Sequence, residues 1–156
     1  MRFCASAAKN TQPRCCAVLS ITESEKQTAM TLAQFLFISI GGALGALARF
    51  GLGKLAQQML TSGFPWGTIA VNLLGSLLFG VIWTLTDKYA ATVPPHTRTL
   101  MLTGFMGAFT TFSTFMFDTA TLLQEARWLA AFGNVSLQLA LGLLAVFAGL
   151  AIGRAL

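Results

Sequence analysis

The chain has 156 residues, 55% hydrophobic and 10% charged, with a formal net charge of +5. A soluble domain carries about 25% charged residues, so ten Lys/Arg and five Asp/Glu are too few to coat a soluble monomer; a soluble enzyme, a disordered chain and a disulfide-stapled secreted domain are all excluded. The positive charge is spread over loops and a tail with no basic patch interleaved with aromatics, which argues against nucleic acid as a partner.

Residues 1–29 hold Arg2, Lys9, Arg14, Glu23, Glu25 and Lys26 and no sustained apolar run. They read as a polar, disordered extension. Residues 15–21 are the best signal-peptide core, but that run is short, contains Ser20 and lacks a clear small-residue cleavage site. All three cysteines (Cys4, Cys15, Cys16) lie in this tail, without a histidine at zinc spacing. Met30 stands directly before the first apolar run and is the expected true start of translation.

Beyond it the charges are segregated. Lys26 to Arg49 encloses 22 uncharged residues, Lys54 to Asp87 encloses 32, Arg98 to Asp118 encloses 19, and Arg127 to Arg154 encloses 26. A helix needs roughly 20 apolar residues to cross a bilayer core. The spacing predicts one domain, 30–156, with four transmembrane helices at about 32–53, 67–86, 99–123 and 128–152. Pro65 suits a helix entry, and Trp66, Trp83 and Trp128 suit the interface belt. Val93-Pro94-Pro95-His96 is the clearest loop and puts the only histidine at the surface. Gly41-x-x-x-Gly45 and Gly149-x-x-x-Gly153 mark closely packed helices more than a dimer face.

With four spans, Lys88, Arg98 and Arg154 fall on one side of the membrane and Arg49, Lys54 and Arg127 on the other. Lys/Arg excess normally sets orientation. A count of three against three leaves the core without a vote, so either the tail decides or both orientations are inserted. Two opposed copies could form an antiparallel two-fold dimer.

The deep polar groups are neutral. Asp118 is late in span three and Glu125 lies beyond it, so proton-coupled transport and metal hydrolysis lack their usual machinery, and no nucleophile–base pair suggests an enzyme. In span two, Thr68, Asn72 and Ser76 share one helical face. Asn72 reads either as interhelical glue or as a pathway group. Span four offers Asn134, Ser136 and Gln138, with Ser136 the deepest hydroxyl that could face span two.

Span three is unusual. Residues 99–117 contain six Ser/Thr among nineteen, and two glycines and β-branched residues weaken the helix near its middle. It is either broken there, as in ion sites built from carbonyls and helix ends, or continuous with hydroxyls bonded onto its own turns. Phe112 and Phe115 share a face, and aromatic rings carry a positive edge. Two such edges beside amide and hydroxyl donors could hold a small anion weakly enough for it to leave again. Packing is the plain alternative.

Three signatures carry a resemblance: Gly41-Gly42-Ala43-Leu44-Gly45-Ala46-x-x-Arg49-Phe50, Trp66-Gly67-Thr68-x-x-Val71-Asn72-x-x-Gly75, and the run Gly104-Phe105-Met106-Gly107-Ala108-Phe109-Thr110-Thr111-Phe112-Ser113-Thr114-Phe115. In this order over residues 30–156 the sequence resembles the Fluc/CrcB family of fluoride channels. The resemblance implies an all-α, four-span subunit that forms an antiparallel, dual-topology homodimer in the bacterial inner membrane. It implies a third helix broken near the midplane, where the carbonyls of Gly107 and Thr110 from both subunits hold a structural sodium ion. It assigns the fluoride pathway to Asn72, Phe112, Phe115, Ser113, Thr114, Ser136 and Thr68, and a vestibule to Arg49. Phe132 stands where some members have Tyr, Ala140 where some have Ser, and Gly107-Ala108 where Gly-Gly is frequent. The implied function is passive, fluoride-selective export from the cytoplasm, with lipid as the surroundings. The competing readings are a small four-span multidrug-type cation exporter and a structural membrane subunit.

Overall fold

Four long apolar stretches become helix because, inside a bilayer, a chain must satisfy its own backbone. The computed structural model describes residues 32–60 and 62–156; the expectations for the 1–29 tail, its cysteines and Met30 lie outside the described residues. The helices are α1 (Leu32–Met59), α2 (Trp66–Lys88), α3 (95–109), α4 (Phe112–Gln124) and α5 (Trp128–Ala155). α3 and α4 together form the third span, and all four spans are long and apolar enough to cross a membrane. Among the described residues there is no strand, so the all-α, four-span expectation holds.

Two boundaries differ from expectation. α1 runs on past Gly53 to Met59, since Leu55, Ala56, Gln57, Gln58 and Met59 are mostly strong helix formers. The third span begins at Pro95, whose fixed φ suits a first helical turn. Within α3 the residues Thr99–Met106 wind as a π-helix between two short α-helical turns, Pro95–Arg98 and Gly107–Phe109.

Helices approach closely where glycine leaves room. A Cβ on Gly41 would lie 2.5 Å from the Leu100 carbonyl oxygen, and one on Gly45 would collide with the Phe105 carbonyl. A Cβ on Gly149 would collide with the Leu77 carbonyl, and one on Gly153 would lie 2.7 Å from Thr84 Cβ. Both small-residue motifs are therefore packing faces within the subunit, one joining α1 to α3 and the other α5 to α2. Val71, Met106 and Phe109 form the buried core between α2 and α3, with Ala48, Leu52 and Phe105 packed against it. Large side chains such as Leu44 and Leu47 on α1 and Leu143 and Phe147 on α5 stay exposed, as a lipid-facing surface requires.

The loops tie the spans at both ends. Arg127 Nη1 donates to the Gly63 carbonyl at 2.6 Å and pairs with Glu125 Oε2 at 3.3 Å. At the other end, Phe37 stacks on His96 with centroids 5.5 Å apart, and the Arg98 guanidinium lies 4.6 Å over the Trp83 ring. Because overpacking typically costs about 1–3 kcal/mol, Gly45→Val is expected to lower unfolding stability in detergent by at least that much. Gly42→Ala, where a Cβ meets nothing within 4 Å, should leave it nearly unchanged.

Candidate functional site

The third span stops being a helix at two residues. Thr110 (φ −77, ψ 158) and Thr111 (φ −147, ψ 117) are both extended, so the broken-helix expectation holds and the continuous one does not. α2 accommodates the break from its side. Gly75 lacks the Cβ that would collide with Thr110 Cγ2 and lie 3.1 Å from the Phe109 ring.

An extended residue presents its N–H and C=O along one edge, as in a β-ladder. Asn72 supplies the matching partner. Thr111 N–H donates to Asn72 Oδ1 at 2.9 Å, and Asn72 Nδ2 donates to the Thr111 carbonyl at 3.0 Å. Thr111 also caps α4: its Oγ1 accepts from Thr114 N–H at 3.2 Å, the usual service of an N-cap threonine. Thr111 Oγ1 donates to Thr114 Oγ1 at 3.0 Å and lies 3.3 Å from Ser113 Oγ.

These bonds divert donors from the helix. In an unbroken span Thr111 N–H would close on the Gly107 carbonyl and Thr114 N–H on the Thr110 carbonyl; both are spent elsewhere. Gly107 is exposed, and a Cβ there would meet only the Leu102 carbonyl oxygen, 3.9 Å away. Neutral carbonyl oxygens with their helical donors removed are the donor set that a hard cation takes. The residues present therefore fit the expected sodium site.

The second Nδ2 hydrogen of Asn72 goes to Gln138 Oε1 at 2.7 Å. Gln138 Nε2 donates to Asn134 Oδ1 at 2.9 Å, Asn134 Nδ2 to Thr119 Oγ1 at 2.9 Å, and Thr119 Oγ1 to the Phe115 carbonyl at 2.8 Å. Asn134 is 0% and Gln138 8% exposed. Among the described residues, no buried side-chain nitrogen or oxygen lacks a partner.

Two cavities meet at the break. The larger, about 860 Å³, is lined by Arg49, Lys54, Arg127, Thr68, Ser113 and Thr114 among others, with Thr111 at its wall. The smaller, about 300 Å³, is lined by Asn72, Ser76, Thr110, Thr111 and Phe112. Thr68 Oγ1 donates to Asp118 Oδ2 at 2.6 Å, which places a carboxylate beside the cationic residues. The Phe112 and Phe115 rings meet edge-on, 5.9 Å apart at 68°. Phe112 is 72% exposed and Phe115 5%.

The structure thus gathers Asn72, Thr68, Ser113, Thr114 and Arg49 around the break and the larger cavity, sets Phe112 on the smaller one, and buries Phe115 beside it. Ser136 is not brought there. It is exposed, together with Phe132 and Ala140, and lines neither cavity; the span-four group turned toward Asn72 is Gln138. The reason is helical geometry. Positions 136 and 138 are about 200° apart on a helix, so burying Asn134 and Gln138 turns Ser136 outward. The Gln138 contact was missed, though Asn134 and Gln138 carry the same four-residue spacing that singled out Thr68 and Asn72. The Thr68–Asp118 bond has no local signal, since its partners are 50 positions apart.

Fold and site define a multi-pass helical membrane protein whose third span breaks at a hydroxyl-lined site. The family model described as "CrcB-like protein, Camphor Resistance (CrcB)" matches residues 36–150, and the chain belongs to that CrcB family. A "Fluoride-specific ion channel FluC" of Solidesulfovibrio magneticus is 48% identical over 118 residues, 76% of this chain and 94% of that protein. A protein of the same name from Nitratidesulfovibrio vulgaris is 45% identical over 121 residues, 78% of this chain and 97% of that one. One from Nitrosococcus oceani is 44% identical over 118 residues, covering 76% and 94%.

Each buried polar group left unpaired costs about 1–3 kcal/mol. Asn72→Leu strips partners from both the N–H and the carbonyl of Thr111. It is expected to destabilise the protein by roughly 2–6 kcal/mol on that count, read from the unfolding midpoint in detergent.

Proposed function

We propose that this chain is a subunit of a fluoride channel through which fluoride leaves the cytoplasm passively. The observation that carries this reading is the break itself. The hydroxyl-rich start of α4, with Ser113 and Thr114, opens on a cavity lined by Arg49, Lys54 and Arg127, in a chain whose relatives are named fluoride-specific channels.

Hydrogen fluoride crosses membranes neutral and ionises in a near-neutral cytoplasm, which traps the anion. A pore releases it, aided by an inside-negative potential worth ~2.3 kcal/mol per elementary charge per 100 mV. Arg49 and its cationic neighbours concentrate anions in the vestibule. Thr111 already donates to Thr114 Oγ1, so the hydroxyl hydrogen of Thr114 is left to point into the cavity. Ser113 lines the same cavity, its own hydrogen directed at Thr111 Oγ1, so it holds Thr111 in place beside the freed hydroxyl of Thr114. Both N–H donors of Asn72 are committed, so Asn72 acts in the pathway by shaping its wall at Thr111. The ring edges of Phe112 and Phe115 offer positive surface without a fixed charge. Weak, neutral contacts let the anion move on, as conduction requires.

The subunit works as an antiparallel, dual-topology homodimer in the bacterial inner membrane. The even split of cations and the exposed Gly107 support that arrangement. At the dimer centre the carbonyls of Gly107 and Thr110 would hold a sodium ion, which would supply positive charge to balance their exposed oxygens. The multidrug-exporter reading has less support: residues 31–48 hold no Asp or Glu to bind a cation or proton.

Purified protein in liposomes is expected to release fluoride far faster than chloride without a proton gradient. Proton-coupled cation transport would favour the exporter, and neither activity the structural subunit. Phe112→Ile is expected to slow fluoride efflux about tenfold, equivalent to ~1.4 kcal/mol on the barrier, with assembly intact by size-exclusion chromatography. Unchanged flux would remove the ring edges from the mechanism.

A further inference from the structure

The amide chain running from Asn72 into α5 is longer than the break alone needs. Asn72 already satisfies Thr111 with one oxygen and one N–H. The remaining links, through Gln138 and Asn134 to Thr119, lie outside both cavities. Burying two more amides deep in an apolar span is costly unless every group is bonded.

The links have a direction. The Phe115 carbonyl can only accept, so the Thr119 hydroxyl donates to it and must accept from the next group. Asn134 therefore presents Nδ2 to Thr119 and Oδ1 to Gln138. Gln138 in turn presents Nε2 to Asn134 and Oε1 to Asn72. Asn72 must then offer its Nδ2 to Gln138, which leaves Oδ1 for the Thr111 N–H. Thr111 independently demands the same orientation, because its N–H is a fixed donor. Turning over any one amide would set two donors or two acceptors face to face. Each link needs one donor and one acceptor, which is why carboxamides fill these positions.

We infer that Gln138 and Asn134 are positioning residues for conduction: a one-way amide relay anchored on the Phe115 carbonyl locks the orientation of Asn72 and holds Thr111 extended at the break. This rests on the channel reading and deepens it. The relay starts on the buried Phe of the Phe112–Phe115 pair and ends at the cap of the same helix, α4. It thus makes a loop through α5 and α2 that ties the two ring positions to the hydroxyl cluster.

The test compares Gln138→Met with Gln138→Glu in liposomes, by fluoride efflux corrected for leak through protein-free vesicles. Met fills the space but makes neither bond. A protonated Glu has one donor and one acceptor and restores both links, whereas an ionised Glu only accepts. Gln138 is bonded to Asn72 of α2 and Asn134 of α5 and, one link further on, to Thr111 and Thr119; none of these side chains is a titratable acid or base. The nearest carboxylate in sequence on α4, Asp118, is bonded to Thr68, and the cations Arg49, Lys54 and Arg127 line the vestibule.

Q138M should conduct at least about tenfold more slowly than the parent at every pH, the cost of a buried group left unpaired. Q138E should approach the parent at the acidic end of the carboxyl titration range and fall as pH rises through it, while the parent profile stays flat. Where Q138M fails to assemble, the pH profile of Q138E, read within one preparation, decides. Parental flux in Q138M, or a flat Q138E profile, overturns the relay. Absence of fluoride flux in the parent would instead overturn the channel reading. In that case faster hydrogen exchange of the Thr111 N–H in Q138E at neutral than at acidic pH, relative to the parent, would still support the relay, and equal exchange would overturn it.

Discussion

The pairing of one side chain with one backbone residue, Asn72 with Thr111, decides the shape of the third span. A helix interrupted inside a bilayer exposes polar groups that water cannot reach, and hydrocarbon offers them nothing. The asparagine replaces the missing neighbour strand: it accepts from the N–H and donates to the carbonyl of the same residue. With Thr111 held extended, its hydroxyl falls where it caps α4, and the start of that helix turns its hydroxyls to the larger cavity. Removing the pairing would remove the reason for the break to lie at residues 110–111.

Charge is arranged to suit this neutral machinery. Arg49, Lys54 and Arg127 line the larger cavity together with two carboxylates, Glu125 and Asp118, the latter bonded to Thr68. The smaller cavity at Asn72 and Phe112 has no ionisable side chain in its lining. An anion passing from one to the other would exchange long-range attraction for dipoles and ring edges. Full charges suit capture from water, where interactions are screened; deeper in, a fixed cation would hold an anion too long to conduct. Arg127 is also anchored to the Gly63 carbonyl and to Glu125, so part of the larger cavity's rim is a loop staple as well as a source of potential.

Much of this was legible in the sequence because it depends on local or periodic features. Charge-free stretches gave four spans, and the glycine and hydroxyl content of residues 99–117 pointed to a break in the third. The face shared by Thr68, Asn72 and Ser76 also held: Thr68 reaches Asp118, Asn72 reaches Thr111, and Ser76 lines the smaller cavity. What was not legible is pairwise and non-local. No pattern in span four distinguishes the role of Ser136 from that of Gln138, because three polar residues within five positions cannot all face inward. Which of them turns to α2 is set by the helix rotation, and that rotation is fixed by Gly149 and Gly153 against Leu77 and Thr84, a turn or more away. The π-helical winding of Thr99–Met106 was equally hidden, since it goes with the close approach of Gly41 and Gly45 on another helix.

The same glycines show why side chains hung on a helix break can be held firmly in place. Selectivity by size requires positions that do not relax toward the larger ion, yet extended residues at a helix break are ordinarily among the softer parts of a fold. Here the break is clamped from three directions: α1 seats its glycines on the backbone of α3, α2 presses Gly75 against Thr110 and Phe109, and α5 reaches Asn72 through Gln138. Close packing of backbone on backbone leaves little freedom, because interiors at this density resist even a methylene of change. Stiffness at the break is therefore supplied by the helices packed around it, and substitutions on those buried faces should alter conduction even where they line neither cavity.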